Sequence, residues 1–252
     1  MVLYIIGLGL SHPQDISLKG LELIKQSDLV YLESYTSRLQ CPVKDLEELY
    51  GKKIILADRV MAEQGMELII TEAETKKISF LIIGDPFSAT THIELFKLAQ
   101  DKKVAVEVVN NASILTAVGI TGLQLYKFGK ITSIPFLEDF PQLETPYNIL
   151  QENKSISAHT LFLLDIKSEQ NKLMTVNQSL EILEQIELRK NSQLINSDTL
   201  VIGCARLGSS DFKIKSGKLS EVKKYNFGLA PHCLIIPSKM HFSEEEMVAR
   251  WG

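Results

Sequence analysis

Residues 78–92 read ISFLIIGDPFSATTH, and the amphipathic stretch TTHIELFKLAQDKK (90–103) runs on from them. The opening run is apolar at nearly every position instead of alternating. A strand of that texture belongs where both faces of a sheet are covered, as in a parallel sheet flanked by helices. Gly84-Asp85-Pro86 ends it, and Thr90 or Thr91 is predicted to cap the helix that follows. In open α/β sheets ligands sit beyond the carboxyl ends of the strands. Asp85 at such an end can accept hydrogen bonds from ribose hydroxyls or an ammonium, and the helix start can hold a carboxylate. The same aspartate can equally cap a Pro turn. His92, on the first helical turn, reads as packing.

Outward from this unit the pattern recurs. Predicted strands VLYIIG (2–7), LVYLES (29–34), KIILA (53–57) and VAVEVVN (104–110) are separated by the helical patterns SLKGLELIKQSD, with Ser17 as N-cap, VKDLEELYG and VMAEQGMELIITEAETKK. This half is α/β, with a mostly parallel sheet. NNASILTAVGITGLQLYKFG (110–129) is helical in period but rich in Gly, Ser and Thr, and predicts a connecting helix. Beyond it ITSIPF, HTLFLLDIK, DTLVIGCARLG, FKIKSG and HCLIIPS accompany one helix over Thr175–Lys190. Several of these strands lie close together, so antiparallel or mixed pairing is expected. SEEEMVARWG starts on a Ser-x-x-Glu N-cap pattern, and its run Glu244–Glu246 reads as a solvated helix face. The expected division is an N-terminal α/β domain over 1–112, a connecting helix over 113–132 and a C-terminal α/β domain over 133–252.

With 45% hydrophobic and 23% charged residues, the 252-residue chain falls outside the disordered class. Lys and Arg number 27 against 31 Asp and Glu, a net charge of −4 that makes direct nucleic-acid binding a poor expectation. The longest apolar stretch, Val2–Leu10, falls well short of the roughly 20 residues that span a bilayer, so no membrane partner is expected. Val2–Ile6 reads as a strand and not as a signal peptide. Cys41, Cys204 and Cys233 are far apart with no C-x-x-C. That usage fits a reducing, cytoplasmic setting, and no metal is expected.

Other strand-end loops share the character of 84–92. IGLGLSHPQD (6–15) has Gly7 and Gly9, but His12 stands where a dinucleotide fingerprint needs its third glycine. NNASI (110–114), Asp165 at the end of LFLLD, GCARLGSSD (203–211) and His232 in APHCLII complete the set. Each has a plain reading: Asp165 as a cap, Arg206 as a surface ion pair, His232 as a satisfied core histidine. Together, five such loops point to a ligand. G-x-S-x-G, H-E-x-x-H and a distinctive carboxylate pair are all missing. Group transfer from an activated cosubstrate therefore comes to the front.

The blocks YIIGLGL (4–10), YLESYTS (31–37), YGKKIILADR (50–59), LIIGDPFSATTH (81–92), NASI (111–114), GLQLYKFG (122–129), SIPF (133–136), HTLFLLDIK (159–167), MTVNQSLEIL (174–183), GCARLGS (203–209) and PHCLIIPSKMH (231–241) follow one another in order. In these the chain resembles the diphthine synthases, a family within the tetrapyrrole methylase-like (class III) methyltransferases, over nearly its whole length. The resemblance implies two unlike α/β domains of the tetrapyrrole methylase type. The N-terminal sheet would be mostly parallel and the C-terminal one mixed. S-adenosylmethionine would lie in the cleft between them, with S-adenosylhomocysteine as product, usually in a homodimer. It implies contacts to that cosubstrate from Leu10, Asp85, Ser88, Ser113, Ile114, Leu164, Ala205 and His232. Ser88 stands where many members have Gly or another small or apolar residue, which implies a backbone contact. Asn110 replaces a common His, and no catalytic residue is implied. The implied substrate is translation elongation factor 2. The α-amino group of its 2-(3-amino-3-carboxypropyl)histidine side chain would be methylated successively to the trimethyl stage, a step of diphthamide biosynthesis. Eukaryotic relatives add a fourth methyl, and the short segments between His159 and Met174 resemble archaeal members. Methylation of a small tetrapyrrole shares the fold, but YLESYTS and GDPFSATTH point away from it.

Overall fold

A computed structural model describes residues 1–34, 39–57, 61 and 65–252, with only the backbone of Glu169. Tyr35–Ser37 of YLESYTS, Asp58 and Arg59 of YGKKIILADR, and residues 60 and 62–64 of the third predicted helix lie outside the described residues. The chain forms two compact units. One is Met1–Ala117 with Lys167–Gln170, and the other is Val118–Ile166 with Asn171–Gly252.

In the first unit β1 (Val2–Gly7), β2 (Leu29–Glu33), β3 (Ile55–Ala57), β4 (Lys77–Ile82) and β5 (Ala105–Val109) form one sheet in the order β3-β2-β4-β1-β5. Every pairing in it is parallel. Alternate residues of β1 explain its unbroken apolar run. Leu3 and Ile5 face a core containing Phe80 and Leu95, while Tyr4 and Ile6 face another containing Leu81 and Tyr50. The helices are α1 (Leu18–Gln26), α2 (Val43–Tyr50), α3 (Met66–Ala73), α4 (Ile93–Asp101) and α5 (Ile114–Ala117). Ser17 caps α1 as the sequence predicts, its Oγ accepting from Gly20 N at 3.1 Å. α4 begins later than a Thr90 or Thr91 cap predicts. The Thr90 hydroxyl donates instead to the Pro86 carbonyl at 2.8 Å.

The period of residues 110–129 predicts one connecting helix, but the chain makes only α5 and two 3₁₀ turns there, Val118–Thr121 and Leu125–Lys127. Gly122 breaks it with φ +94°, and a Cβ there would lie 2.2 Å from Met247 Cβ. A helix with a side chain at that point does not fit against Met247.

The second unit carries β6 (Thr132–Ile134), α6 (Thr145–Ser155), β7 (Thr160–Leu164), Ile166 of the two-residue strand β8 (Ile166–Lys167), the two-residue strand β9 (Lys172–Leu173), and α7 (Val176–Lys190). It continues with β10 (Leu200–Ala205), β11 (Lys213–Lys218), α8 (Leu219–Val222), β12 (His232–Ile236) and α9 (Phe242–Ala249). Its sheet runs β11-β10-β12-β7-β6. Pairings are antiparallel except β6 with β7, the mixed sheet that the close spacing of strands predicts.

Two expectations about α9 are corrected. The helix starts at Phe242, ahead of the Ser-x-x-Glu pattern, because the His241 ring accepts from Ser243 N and Glu244 closes a capping box on His241 N at 2.7 Å. Glu245 and Glu246 are exposed as predicted, but Glu244 is fully buried. Its Oε1 accepts from Gln124 N (2.8 Å) and from His159 Nε2 (3.1 Å), and its Oε2 also accepts from Lys127 Nζ. His159 Nδ1 accepts from Ser238 N at 3.0 Å, which assigns the ring proton to Nε2.

Candidate active site

β1 lies between β4 and β5, so the loops after these three strands emerge side by side at the carboxyl edge of the first sheet. The first two are tied by a backbone bridge: Gly9 N donates to Gly84 O at 3.2 Å and Gly84 N to Gly9 O at 2.8 Å. Both glycines have positive φ, +80° and +84°, which lets the chain turn there without a Cβ penalty. The approach is close, since a Cβ on Gly7 would lie 2.6 Å from the Gly84 carbonyl oxygen. Asp15 Oδ2 holds Ser11 N and His12 N at 2.9 and 2.8 Å, and Gln40 Nε2 holds the Leu10 carbonyl at 2.8 Å.

Asp85 joins the second loop to the third. Oδ1 accepts from Phe87 N (3.1 Å) and Ser88 Oγ (3.0 Å), and Oδ2 from Asn110 Nδ2 (3.0 Å) and Asn111 N (3.2 Å). Partial burial opposes ionisation, but these four donors, Asn110 foremost, outweigh it and hold the carboxyl below its ordinary range. Among the described residues no cation pairs with it. The cap on the Pro turn and the strand-end acceptor are thus the same side chain. Asn111, which sequence reasoning left inside a block without a role, ties the first loop to the third. Its Nδ2 donates to Gly7 O at 2.9 Å and Asp15 O at 3.0 Å. Ser113 is buried and its Oγ accepts from Leu115 N at 3.1 Å; Ile114 begins α5.

In the second unit Ala205 and His232 are direct partners across β10 and β12, and Leu164 ends β7 beside Leu163, which pairs with Cys233. His232 Nδ1 accepts from Val176 N at 3.3 Å, so Nε2 carries the proton and donates to Leu229 O at 3.1 Å. Burial lowers its pKa against the pull of that carbonyl. It is the satisfied core histidine of the plain reading. Arg206 pairs with Asp211 at 3.0 Å and buried His92 packs edge-on against Phe80, as the plain readings have them, whereas Asp165 is not a local cap: its Oδ2 accepts from Phe136 N, 29 residues away, at 3.2 Å. A groove of about 510 Å³ lined by Glu181, Glu184, Leu188 and Lys223 includes none of the eight residues assigned to the cosubstrate. Among the described residues no group of three or more His, Cys, Asp or Glu is placed to hold a metal ion, and no helix is long and apolar enough to cross a membrane.

This arrangement has close counterparts. The family model for tetrapyrrole (corrin/porphyrin) methylases matches residues 2–223. A diphthine synthase of Methanocaldococcus jannaschii is 44% identical over 248 residues, covering 97% of this chain and 96% of its own. A diphthine methyl ester synthase of Dictyostelium discoideum is 41% identical over 263 residues, covering 98% and 96%. A crystal structure of diphthine synthase superposes with a TM-score of 0.91 at 34% identity, covering 100% of this chain and 96% of that one. The chain therefore belongs to the tetrapyrrole methylase family, as a methyltransferase of its diphthine synthase group.

Proposed function

We propose that the chain is an S-adenosylmethionine-dependent protein methyltransferase acting on translation elongation factor 2. It would methylate the α-amino group of a 2-(3-amino-3-carboxypropyl)histidine side chain successively to the trimethyl stage, in diphthamide biosynthesis. The observation that carries this reading is identity above 40% running almost end to end through relatives of that name. On the same resemblance we read it as a cytoplasmic homodimer.

The first unit's residues fit the methyl donor. Asp85 keeps a negative charge among four neutral donors, an environment suited to a sulfonium or an ammonium. The tight approach of Gly7 to Gly84, with Asn111 and Pro86 also close, packs the three loops together at this edge. Leu10, Asp85, Ser88, Ser113 and Ile114 in this unit, with Leu164, Ala205 and His232 in the other, would hold the donor. When bound, S-adenosylmethionine supplies an electrophilic methyl group on sulfur. Both oxygens of Asp85 are engaged within the protein, so the residue acts through its field and through the loops it fixes. The Ser88 hydroxyl is turned to Asp85, and its backbone N–H donates to the Asp85 carbonyl at 3.4 Å. His232, with both ring nitrogens engaged, does not serve as a base. The chain's contribution is binding and orientation, which can supply on the order of 7–11 kcal/mol.

The trimethyl endpoint rests on the short segments between His159 and Met174, which resemble archaeal members. Mass spectrometry of elongation factor 2 bearing the unmethylated side chain tests the reading. Three additions of one CH₂ each are expected. A fourth would move the endpoint to the ester. No addition, with turnover of a uroporphyrinogen-type ring, would overturn it.

A further inference from the structure

Arg206 follows Ala205 at the carboxyl end of β10, and Ala205 pairs with His232, which lies across from Leu164 on the far side of β12. Arg206 thus stands at the edge of the second sheet that carries three of the residues assigned to the cosubstrate. Its φ is +55°, a left-handed conformation that glycine adopts freely and a long side chain seldom does. The backbone is pinned on both sides. Arg206 N donates to Pro231 O at 2.8 Å, and Arg206 O accepts from Ser209 N at 3.0 Å. A large side chain kept where glycine would sit more easily points to a use for that side chain.

The guanidinium is sheltered and aimed. The side chain is only 18% exposed, against 60% for its partner Asp211. Asp211 Oδ1 accepts from Arg206 Nε at 3.0 Å and from Ser209 Oγ at 2.6 Å, so the group is held by its inner edge. Among the described residues Nη1 and Nη2 have no hydrogen-bond partner, and neither is closed off from solvent. Lys213, directly opposite Ala205 on β11, adds a second positive charge that acts on His232. Asp211 can offset one of these two charges. An oriented guanidinium with an open fork takes a carboxylate by two parallel hydrogen bonds.

We propose that Arg206 receives the α-carboxylate of an amino-acid group through Nη1 and Nη2, and so is a specificity-determining residue of the reaction. This rests on the reading of the chain as a methyltransferase of an aminocarboxypropyl side chain. The cosubstrate and that side chain each end in an α-amine beside a carboxylate, so either can supply the group. Two-point binding fixes the rotation of the carbon that carries the amine. Arg206 takes no part in the bond changes.

Two measurements on the intact protein separate the sources. Arg206→Gln removes the charge and the fork, and Arg206→Lys keeps the charge alone. Calorimetry compares S-adenosylhomocysteine with its analogue lacking the α-carboxylate. If the cosubstrate supplies the group, the wild type should prefer S-adenosylhomocysteine by about tenfold or more, and Arg206→Gln should lose that preference. If the substrate supplies it, the preference is the same in both proteins, and Arg206→Gln should raise the KM for elongation factor 2 about tenfold or more. In either case Arg206→Lys should recover part of the loss. Arg206→Gly, which suits the backbone, should lose as much as Arg206→Gln and supplies the test if that variant does not fold. An unchanged preference with an unchanged KM would overturn the proposal, as would a raised KM that Arg206→Lys does not relieve. A wild type that neither binds S-adenosylhomocysteine nor methylates elongation factor 2 would instead overturn the proposed function.

Discussion

Asp85 and Glu244 each accept four hydrogen bonds inside the fold, and both are held ionised below the ordinary carboxylate range. Their settings differ in one respect that decides their use. The donors to Asp85 are two backbone N–H groups, a hydroxyl and an amide, all neutral, and the residue is only partly buried. Glu244 is fully buried and counts Lys127 among its donors. Its charge is cancelled locally, and the cluster it makes pins segments around residues 124, 159 and 241 to the start of α9. Among the described residues the charge on Asp85 has no countercharge, which is the condition a site for a cationic ligand requires. An equal number of hydrogen bonds thus serves cohesion in one unit and leaves a field available in the other.

The largest effect expected from this contrast is on stability. Glu244→Ala strands Lys127, the His159 Nε2–H and two backbone donors, and should cost about 3–5 kcal/mol in urea unfolding. Affinity of the folded variant for S-adenosylhomocysteine should not change. A near-neutral stability would break the comparison, because Glu244 would then hold nothing together.

Acid should reproduce part of that loss. Burial raises the Glu244 pKa, but Gln124 N, His241 N, Lys127 and His159 together pull it down to about 2 from an ordinary 4.5. The unfolded chain therefore takes up the proton first. The stability it contributes is complete above pH 4.5 and is lost as pH falls toward about 2. Burial also lowers the pKa of His159, against the pull of Glu244, and brings His92 down to about 4. Both histidines are neutral in the fold, so their contribution is complete above pH 6.5 and declines below it. Unfolding free energy measured against pH should thus begin to fall near pH 6.5 and steepen below 4.5. In Glu244→Gln the steepening should be reduced, what remains coming from other carboxyls held low, Asp85 and Glu187 among them.

Asp85 should register in ligand affinity. Asp85→Ala is expected to weaken S-adenosylmethionine at least about tenfold in calorimetry, with a smaller change in stability than Glu244→Ala gives. Asp85→Asn keeps the shape and removes the charge. It should weaken S-adenosylmethionine more than S-adenosylhomocysteine, which lacks the sulfonium charge. Equal losses would mean that Asp85 acts only by shaping its two loops.

What was legible in the sequence follows the range of the interaction. The strands of the first sheet were legible because both faces are covered, so successive residues such as Tyr4 and Ile5 are apolar for separate cores. Asp85 was legible from its place at a strand end, and two of its partners, Phe87 and Ser88, are near in sequence. Gln40 and Glu244 were not, since their roles depend on Leu10, 30 residues away, and on Lys127, 117 residues away. A count of apolar period likewise does not register the positive φ of Gly122 or the presence of Met247 against it. The His241 cap was missed because a ring nitrogen replaces the usual Ser, Thr, Asp or Asn oxygen.

The smallest effect isolates the cause of the largest. Glu244, Glu245 and Glu246 are consecutive and chemically identical, but a helix turns by about 100° per residue. Glu244 therefore shares its inward face with Val248, four positions on, and both are buried, while Glu245 and Glu246 face solvent. Replacing either exposed glutamate by Gln should change unfolding free energy by no more than about 0.5 kcal/mol. The same replacement at Glu244 removes the same unit of charge from the same turn, so net charge and the helix dipole are nearly matched across the three variants. A large loss at Glu244 alone assigns the stabilisation to its buried hydrogen bonds and to Lys127. Similar losses at all three would assign it to the charge of the run, and the distinction between the cancelled carboxylate and Asp85 would no longer hold.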